Sequence, residues 1–365
     1  MNELIIDTKD LLFNINEIRN RISKDNYTII SVVKGNGYGL GIIEFTNFLI
    51  KNGFNFFAVA SFDEALILRN SGIKEKILIL TPFTDRNIVK KLIDNNIILT
   101  IDSDESAKIA NEIAKEQDIK IMAHVKIDTG LSRYGFDYTS NEKTAAILKY
   151  CENIEFEGIY SHFSNSLAKD SSWSKKQYSR FCETIVFLEN HGITFKLKHI
   201  CNSSGFFKYP DMHLNCARIG SAFCGMAVGI PTNLKKIGTF HTKIVRVKTL
   251  KKGDFIGYGN SYVVKNKTRI GILPTGYYDG IGKTLEDQRF KLLSKIKACL
   301  LSFKNIFKDN TIFLKIRGKK VKILGQIGMH DIVIDITKKD FKENDDIYFS
   351  VRPVFIDSSI RRVYK

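Results

Sequence analysis

Over its first two-thirds the chain alternates short, nearly continuous apolar runs with longer amphipathic stretches, eight times over. The runs are Tyr27–Lys34, Phe56–Ser61, Lys76–Thr81, Ile97–Asp102, Lys120–Asp128, Phe156–His162, Lys196–Asn202 and His213–Gly220. Between most of them lie segments with helical spacing, such as Asp63–Ser71, Asp104–Ala114 and Ser174–Asn190. Unbroken apolar strands separated by helices imply a parallel sheet covered by helices, because strands buried on both faces have no polar side to show. Eight such units predict a closed (β/α)8 TIM barrel, and the length is near the ~250 residues typical of one.

Beyond about Pro231 the period changes. Thr239–Leu250, Asp254–Tyr258, Thr268–Pro274, Thr311–Ile316, Val321–Ile327, Asp331–Thr337 and Asp345–Val354 read as strands with turn residues between them. The expected fold class is therefore α/β: a barrel over residues 1–235, then a smaller, mainly β domain over 236–365. One segment breaks the β pattern. Leu285–Phe307 has helical spacing with a Lys-rich opposite face, which predicts an amphipathic helix packed on the β domain.

A net charge of +17 raises the question of an anionic partner. The lysines are spread along the chain and no aromatic RNA-binding signature accompanies them, so no nucleic-acid partner is expected. No apolar run reaches the roughly 18–20 residues of a membrane helix, so no stable membrane insertion is expected. The start, MNELIIDTKD, lacks a basic segment followed by an apolar one, and no signal peptide is read there. The six cysteines show neither paired spacing nor a framework; they read as reduced thiols of a cytoplasmic protein, with no metal site.

In a barrel of this kind, residues just past the C-terminal strand ends line the active site. The first strand ends on Lys34, with Tyr38 in the Gly-rich loop behind it. The fifth supplies Lys126, Asp128 and Arg133, the sixth His162, the seventh Asn202, Ser203 and Ser204, and the eighth Arg218, Gly220 and Ser221. Singly, each has a plain structural explanation: a lysine reaching for solvent, a core histidine, a helix N-cap. Together they put a lysine nucleophile and an arginine on the same face as hydroxyl and backbone donors after strands seven and eight, where barrels commonly bind phosphate. That set suits an aldehyde cofactor with a phosphate tail, held through a lysine.

These motifs resemble those of the alanine racemase family. VVKGNGYGLG is similar to the family's pyridoxal-phosphate attachment signature, and KIDTGLSRYGF to its KIDTGMxRxGF. GIYSHFSNS, HICNSSG, ARIGSAFCG, GYGNSY and TGYYDG follow in the family's order, so the resemblance runs from about Asp7 to Tyr364. It implies a racemase using pyridoxal 5'-phosphate, with Lys34 carrying the cofactor and serving as base for the D-substrate. Tyr258 then serves as base for the L-substrate, supplied by the second subunit of a homodimer. It further implies that His162 and Arg218 bond to each other, with Arg218 facing the pyridine nitrogen. Arg133 would contact the cofactor and the substrate carboxylate, and Lys126 matches a lysine often carbamylated to steady that arginine. Tyr38, Asn202, Ser203, Gly220 and Ser221 fall with the cofactor contacts, and Tyr277 stands at the entrance to the site. The family's usual role is supplying D-alanine for peptidoglycan.

Two departures bear on substrate. The family's RxCMDQ appears as Gln326, Ile327, Gly328, Met329, His330 and Asp331, keeping only the methionine whose backbone meets the substrate carboxylate. Ser358 stands where a phosphate-binding, pocket-closing tyrosine is usual. The smaller side chain opens volume near the substrate, as in the serine racemase branch of vancomycin-type resistance. The expected activity is therefore alanine racemisation with some action on serine. The alternatives are a racemase of a larger or basic amino acid and a catalytically silent cofactor-binding relative.

Overall fold

The computed structural model describes residues 2–22, 25–226, 230–283, 313–316 and 319–365. The expected helix over Leu285–Phe307 and the cysteine Cys299 lie outside them. Contacts divide the chain into two compact units, Thr8–Ile237 and a second made of Met1–Asp7 with Gly238–Lys365.

The first unit holds the eight parallel strands the sequence predicts. Thr28–Val32, Phe56–Val59 and Lys76–Ile79 lie side by side, with Cys216–Ile219 against the outer edge of the first. Leu99–Ile101, Ile121–Asp128, Ile154–Tyr160 and Leu197–His199 form the other half. A parallel bridge between Leu78 and Ile98 joins the halves on one side. On the other, the Arg218 N–H donates to the Cys201 carbonyl at 3.0 Å, closing the ring. Each observed strand falls within or overlaps its expected run. Ile30, Val32, Phe56, Ala58, Leu78, Ile98 and Cys216 fill part of the interior as one buried cluster.

Helices return the chain from strand to strand, and their starts are written locally. Ser61 and Glu64 form a reciprocal capping box ahead of Phe62–Asn70, and Ser103 with Ser106 does the same ahead of Asp104–Glu116. The first helix, Thr8–Arg19, buries Leu11, Ile15 and Ile18 along one stripe. Its buried Asn14 donates to the Phe223 and Lys235 carbonyls at 2.9 and 2.8 Å and accepts from the Lys235 N–H at 2.7 Å. That satisfies an amide whose burial would otherwise be costly, and it ties the segment after the eighth strand to the start of the unit.

The second unit is mainly β in its described residues, with single helical turns at Tyr258–Asn260 and Pro353–Phe355. The N-terminal strand Glu3–Ile6 pairs antiparallel with Thr239–Lys243 and parallel with Arg361–Tyr364. Residues 1–7, assigned to the barrel from sequence, thus contribute a strand to this unit, because Leu4 belongs to its core with Phe240 and Phe349. The single run expected over Thr239–Leu250 is two strands. Thr239–Lys243 pairs with Asp346–Ser350, whereas Arg246–Leu250 pairs with Thr268–Leu273. The chain changes sheet at Ile244–Val245, where Ile244 stays fully buried and Val245 turns outward. The five described cysteines are free thiols, and no described helix is long and apolar enough to cross a membrane.

Candidate active site

Just beyond the first strand the backbone turns the wrong way for L-residues. Gly35, Asn36, Gly37 and Tyr38 all have φ between 52° and 65°, one turn of left-handed helix. An L-residue held there costs roughly 1–2 kcal/mol, which explains the glycines and marks Asn36 and Tyr38 as deliberate exceptions. At Gly37 space also matters, since a Cβ would lie 3.3 Å from the Phe45 side chain. Glu64 stabilises the turn, accepting from the Gly35 and Asn36 N–H groups at 2.6 and 3.2 Å while it caps its own helix. The result fixes Lys34 and Tyr38 at the barrel mouth.

The fifth strand ends in an equally constrained loop. The Asp128 carboxylate accepts from the N–H groups of Gly130, Leu131 and Ser132 at 2.8, 2.9 and 3.1 Å. Gly135 permits the return, as a Cβ there would sit 2.4 Å from the Asp128 nitrogen. Lys126, two residues before the loop, is buried with its ammonium over the rings of Tyr134 and Tyr160, 5.2 and 5.1 Å from their centroids.

After the seventh strand, Asn202 caps the short helix Ser203–Lys208 through the Gly205 N–H at 2.9 Å. The Ser203 hydroxyl accepts from the N–H groups of Gly220 and Ala222 at 3.1 and 3.3 Å, which leaves its own hydrogen to donate. Gly220 is needed for a close approach: a Cβ there would come within 2.6 Å of the Tyr38 phenol oxygen.

A cavity of about 360 Å³ opens between these elements. Lys34, Tyr38, Lys126, Arg133, His162, Asn202, Ser203, Arg218, Gly220 and Ser221 all line it, so ten of the residues singled out from sequence converge on one space. The lining has four basic side chains, two of them arginines, and no carboxylate, and its field favours an anionic guest. Burial, reinforced by Arg133 and Arg218 and partly opposed by Glu64, lowers the Lys34 pKa, favouring a neutral amine. Burial first, then Arg133 and Arg218, against the opposing carboxylates of Asp102 and Asp128, bring Lys126 down to about 7. Burial pushes the Tyr38 phenol up to about 12.

Arg218 crosses the cavity floor. It donates to His199 Nδ1 at 2.6 Å, His162 Nδ1 at 3.0 Å and the Ser161 carbonyl at 2.7 Å. Because a guanidinium only donates, His162 must carry its proton on Nε2. Burial and the neighbouring cations hold the His162 pKa well below its usual value, so the ring is neutral. The Asn202 amide nitrogen lies 3.5 Å from Nε2, and because both nitrogens then carry hydrogens they form no hydrogen bond.

Tyr258, Tyr277, Met329 and Ser358 belong to the β unit and are all exposed there. Tyr258 stands on the single turn Tyr258–Asn260 and is 86 % exposed. Tyr277 and Met329 share one loop pairing: the Tyr277 N–H donates to the Gly328 carbonyl at 3.0 Å and the Tyr278 N–H to that of Met329 at 3.1 Å. Ser358 sits in a turn whose carbonyl accepts from Arg362 at 2.8 Å.

Sequence reasoning missed Glu64, Tyr160, His124 and His199. The SFDE capping box was a readable signal for Glu64, and His124 stands two residues before Lys126, on the same inward side of its strand.

The Lys126 shift has a consequence for stability. Its folded pKa of about 7 lies below the unfolded value of ~10.4, so between these values the unfolded chain holds the extra proton and stability rises with pH. Below pH 7 the full penalty of a buried ammonium applies. In bicarbonate-free buffer, Lys126→Met is expected to stabilise the protein more at pH 6 than at pH 9, by about 2–3 kcal/mol. Denaturant midpoints at the two pH values check this; an equal gain at both would contradict it.

A lysine of lowered pKa, a cationic cavity and hydroxyl donors at the last two strand ends define a barrel enzyme built for a phosphate-bearing carbonyl cofactor. The alanine racemase N-terminal domain matches residues 6–228 and the alanine racemase C-terminal domain residues 237–353. The chain is 31 % identical to alanine racemase 2 of Caldanaerobacter subterraneus subsp. tengcongensis over 93 % of its own length and 83 % of that protein's. It is 34 % identical to the alanine racemase of Clostridium tetani over 80 % and 76 %. The solved alanine racemase of Clostridium difficile 630 superposes with a TM-score of 0.86 at 26 % identity, covering 100 % of this chain and 95 % of that one. The chain belongs to the alanine racemase family, isomerases that work with pyridoxal phosphate.

Proposed function

We propose that this chain interconverts L- and D-alanine by a two-base mechanism, with Lys34 on one face of the substrate Cα and Tyr258 of the partner subunit on the other. The observation that carries the reading is the convergence of Lys34, Arg133, His162, Arg218 and the Ser203–Gly220–Tyr38 cluster on one cationic cavity. The cavity fits pyridoxal 5'-phosphate on its own chemistry. Lys34 supplies the amine, Ser203 and Tyr38 supply hydroxyls for the phosphate with Asn202, Gly220 and Ser221 beside them, and Arg218 supplies a donor for the ring nitrogen. When bound, the cofactor withdraws electron density from the substrate's Cα–H bond and acidifies it.

The chain's own residues do the rest. Arg218 offers a hydrogen to the ring nitrogen without surrendering it, since a guanidinium keeps its proton; that restrains charge build-up on the ring and disfavours transamination. Arg133 holds the substrate carboxylate, a role in which the family resemblance also enlists the Met329 backbone. In the L-to-D direction the Tyr258 phenolate takes the Cα proton and the Lys34 ammonium returns one to the opposite face. From D to L the roles reverse. Lys126, with a pKa of about 7, presents a substantial share of neutral amine at pH 7 that is able to take up carbon dioxide, and its carbamate steadies Arg133. The 86 % exposure of Tyr258 supports its service to a second copy in a homodimer, since its own unit leaves the phenol uncovered. By the family resemblance Tyr277 guards the approach of substrate and position 358 is a pocket-closing one, where serine is smaller than the usual tyrosine.

The test is incubation of the purified protein with pyridoxal phosphate and L-alanine in deuterated water, followed by chiral chromatography and mass spectrometry. D-alanine carrying deuterium at Cα is expected; its absence would overturn the reading. With Ser358 in the pocket-closing position, kcat/KM for L-serine is expected to be at least about a thousandth of that for L-alanine. A wider gap, beyond ~4 kcal/mol in transition-state binding, would sink the proposed serine activity.

A further inference from the structure

Arg218 is 3 % exposed, and no described carboxylate pairs with it. Its charge must be balanced from further away, because an uncompensated buried cation is very costly. A chain of buried groups leads from it through the barrel. His199 accepts from Arg218 at Nδ1, so its proton sits on Nε2, and that nitrogen faces His124 Nδ1 at 2.9 Å. His124 therefore accepts at Nδ1 and carries its own proton on Nε2, which faces Glu157 Oε2 at 3.8 Å. Neither of those two buried atoms has another partner, so a small closing movement satisfies both. The other Glu157 oxygen accepts from Lys76. Burial, with Arg218, keeps His199 neutral, while His124 and Lys76 hold the Glu157 carboxyl ionised, well below the usual carboxylate range.

The fold makes room for this chain at two points. The fifth and sixth strands lose register between Ala123 and His124, where Ala123 pairs with Phe156 and His124 with Gly158. Glu157 is the extra residue of that bulge, and a bulge re-aims its side chain. A Cβ on Gly158 would lie 2.6 Å from the His124 ring, so glycine there lets the imidazole pass. Tyr160 stacks on His199 with 5.0 Å between centroids and also lies under Arg218.

We propose that Glu157 is a positioning residue for Arg218: by accepting from His124, it sets the tautomers of His124 and His199 so that a lone pair always faces the guanidinium. Every hydrogen in the chain then points one way, from Arg218 towards Glu157, and the carboxylate balances the arginine across two imidazoles. Lys76 fixes which oxygen does this.

Glu157→Gln separates this role from mere packing. Lys76 claims the amide oxygen, so the amide NH2 faces His124 and reverses the chain. His124 then donates from Nδ1, and His199 is driven to place a proton against Arg218. In 15N-histidine-labelled holoenzyme, the wild type is expected to show His124 and His199 protonated on Nε2, and Glu157→Gln to move both protons to Nδ1. The kinetic arm rests on the proposed contact between Arg218 and the cofactor. There, Glu157→Gln is expected to lower kcat about tenfold with KM for alanine within twofold. Lys76→Met/Glu157→Gln, which frees the amide oxygen to face His124, is expected to restore both the wild-type tautomers and kcat to within about threefold. A wild-type His199 protonated on Nδ1 would overturn the proposal without any variant. A Glu157→Gln enzyme with unchanged tautomers, or a double variant no better than the single, would overturn it too. Moved tautomers with unchanged kcat would instead overturn the assigned contact between Arg218 and the cofactor ring, and with it the kinetic half of the proposal.

Discussion

Lys34→Ala is expected to lower racemisation at least about 10³-fold, because it removes two functions at once. The amine is the attachment point for the cofactor and one of the two proton-transfer groups, and a positioned acid–base group alone is worth about 10²–10⁴ in rate. The fold itself should be little changed. Lys34 is held by its left-handed turn, whose bonds run through Gly35, Asn36 and Glu64 and not through the lysine ammonium. A variant with near-normal thermal stability and no measurable D-alanine is the expected result, read by chiral chromatography. Retention of more than a few per cent of activity would assign the chemistry to another residue, with Lys126 the first suspect, since burial leaves it as another weakly basic amine in the cavity.

Tyr258→Phe is expected to split the two faces of the reaction. Racemisation falls about 10²–10⁴-fold in both directions, because both need a group on the tyrosine side. Exchange of the Cα hydrogen of D-alanine with solvent deuterium persists, because Lys34 alone removes and returns it on the same face. Exchange into L-alanine is lost with the phenol. Following Cα deuterium in each enantiomer by NMR separates these outcomes. Equal loss of exchange in both enantiomers would show that Tyr258 does not act on one face only. Within its own chain the phenol is exposed, so the change from hydroxyl to hydrogen leaves no unsatisfied buried group in that chain's fold.

The barrel was legible because each of its strands is a short apolar run and the helical stretches between carry local start signals such as Ser61 and Ser103. Its polar mouth was legible for a related reason: Lys34, His162, Asn202 and Arg218 interrupt or end runs that are otherwise apolar. Three things were not. The strand Glu3–Ile6 belongs to the second unit because Leu4 fits the Phe240–Phe349 core, a partnership more than 230 residues away that no local pattern encodes. The split of Thr239–Leu250 into two strands depends on a change of sheet at Ile244–Val245, whereas the alternation of side chains runs on without a turn residue. Glu157, His124 and His199 looked like ordinary strand residues, because only closure of the barrel and the bulge at Glu157 bring them into line with Arg218.

The most direct test of the central claim is to reduce the protein loaded with pyridoxal phosphate using borohydride, which turns a cofactor–lysine bond into a stable amine. Digestion and mass spectrometry then locate the label. A pyridoxyl group on Lys34 is the expected result. The same group on Lys126, or no labelled lysine, would contradict it.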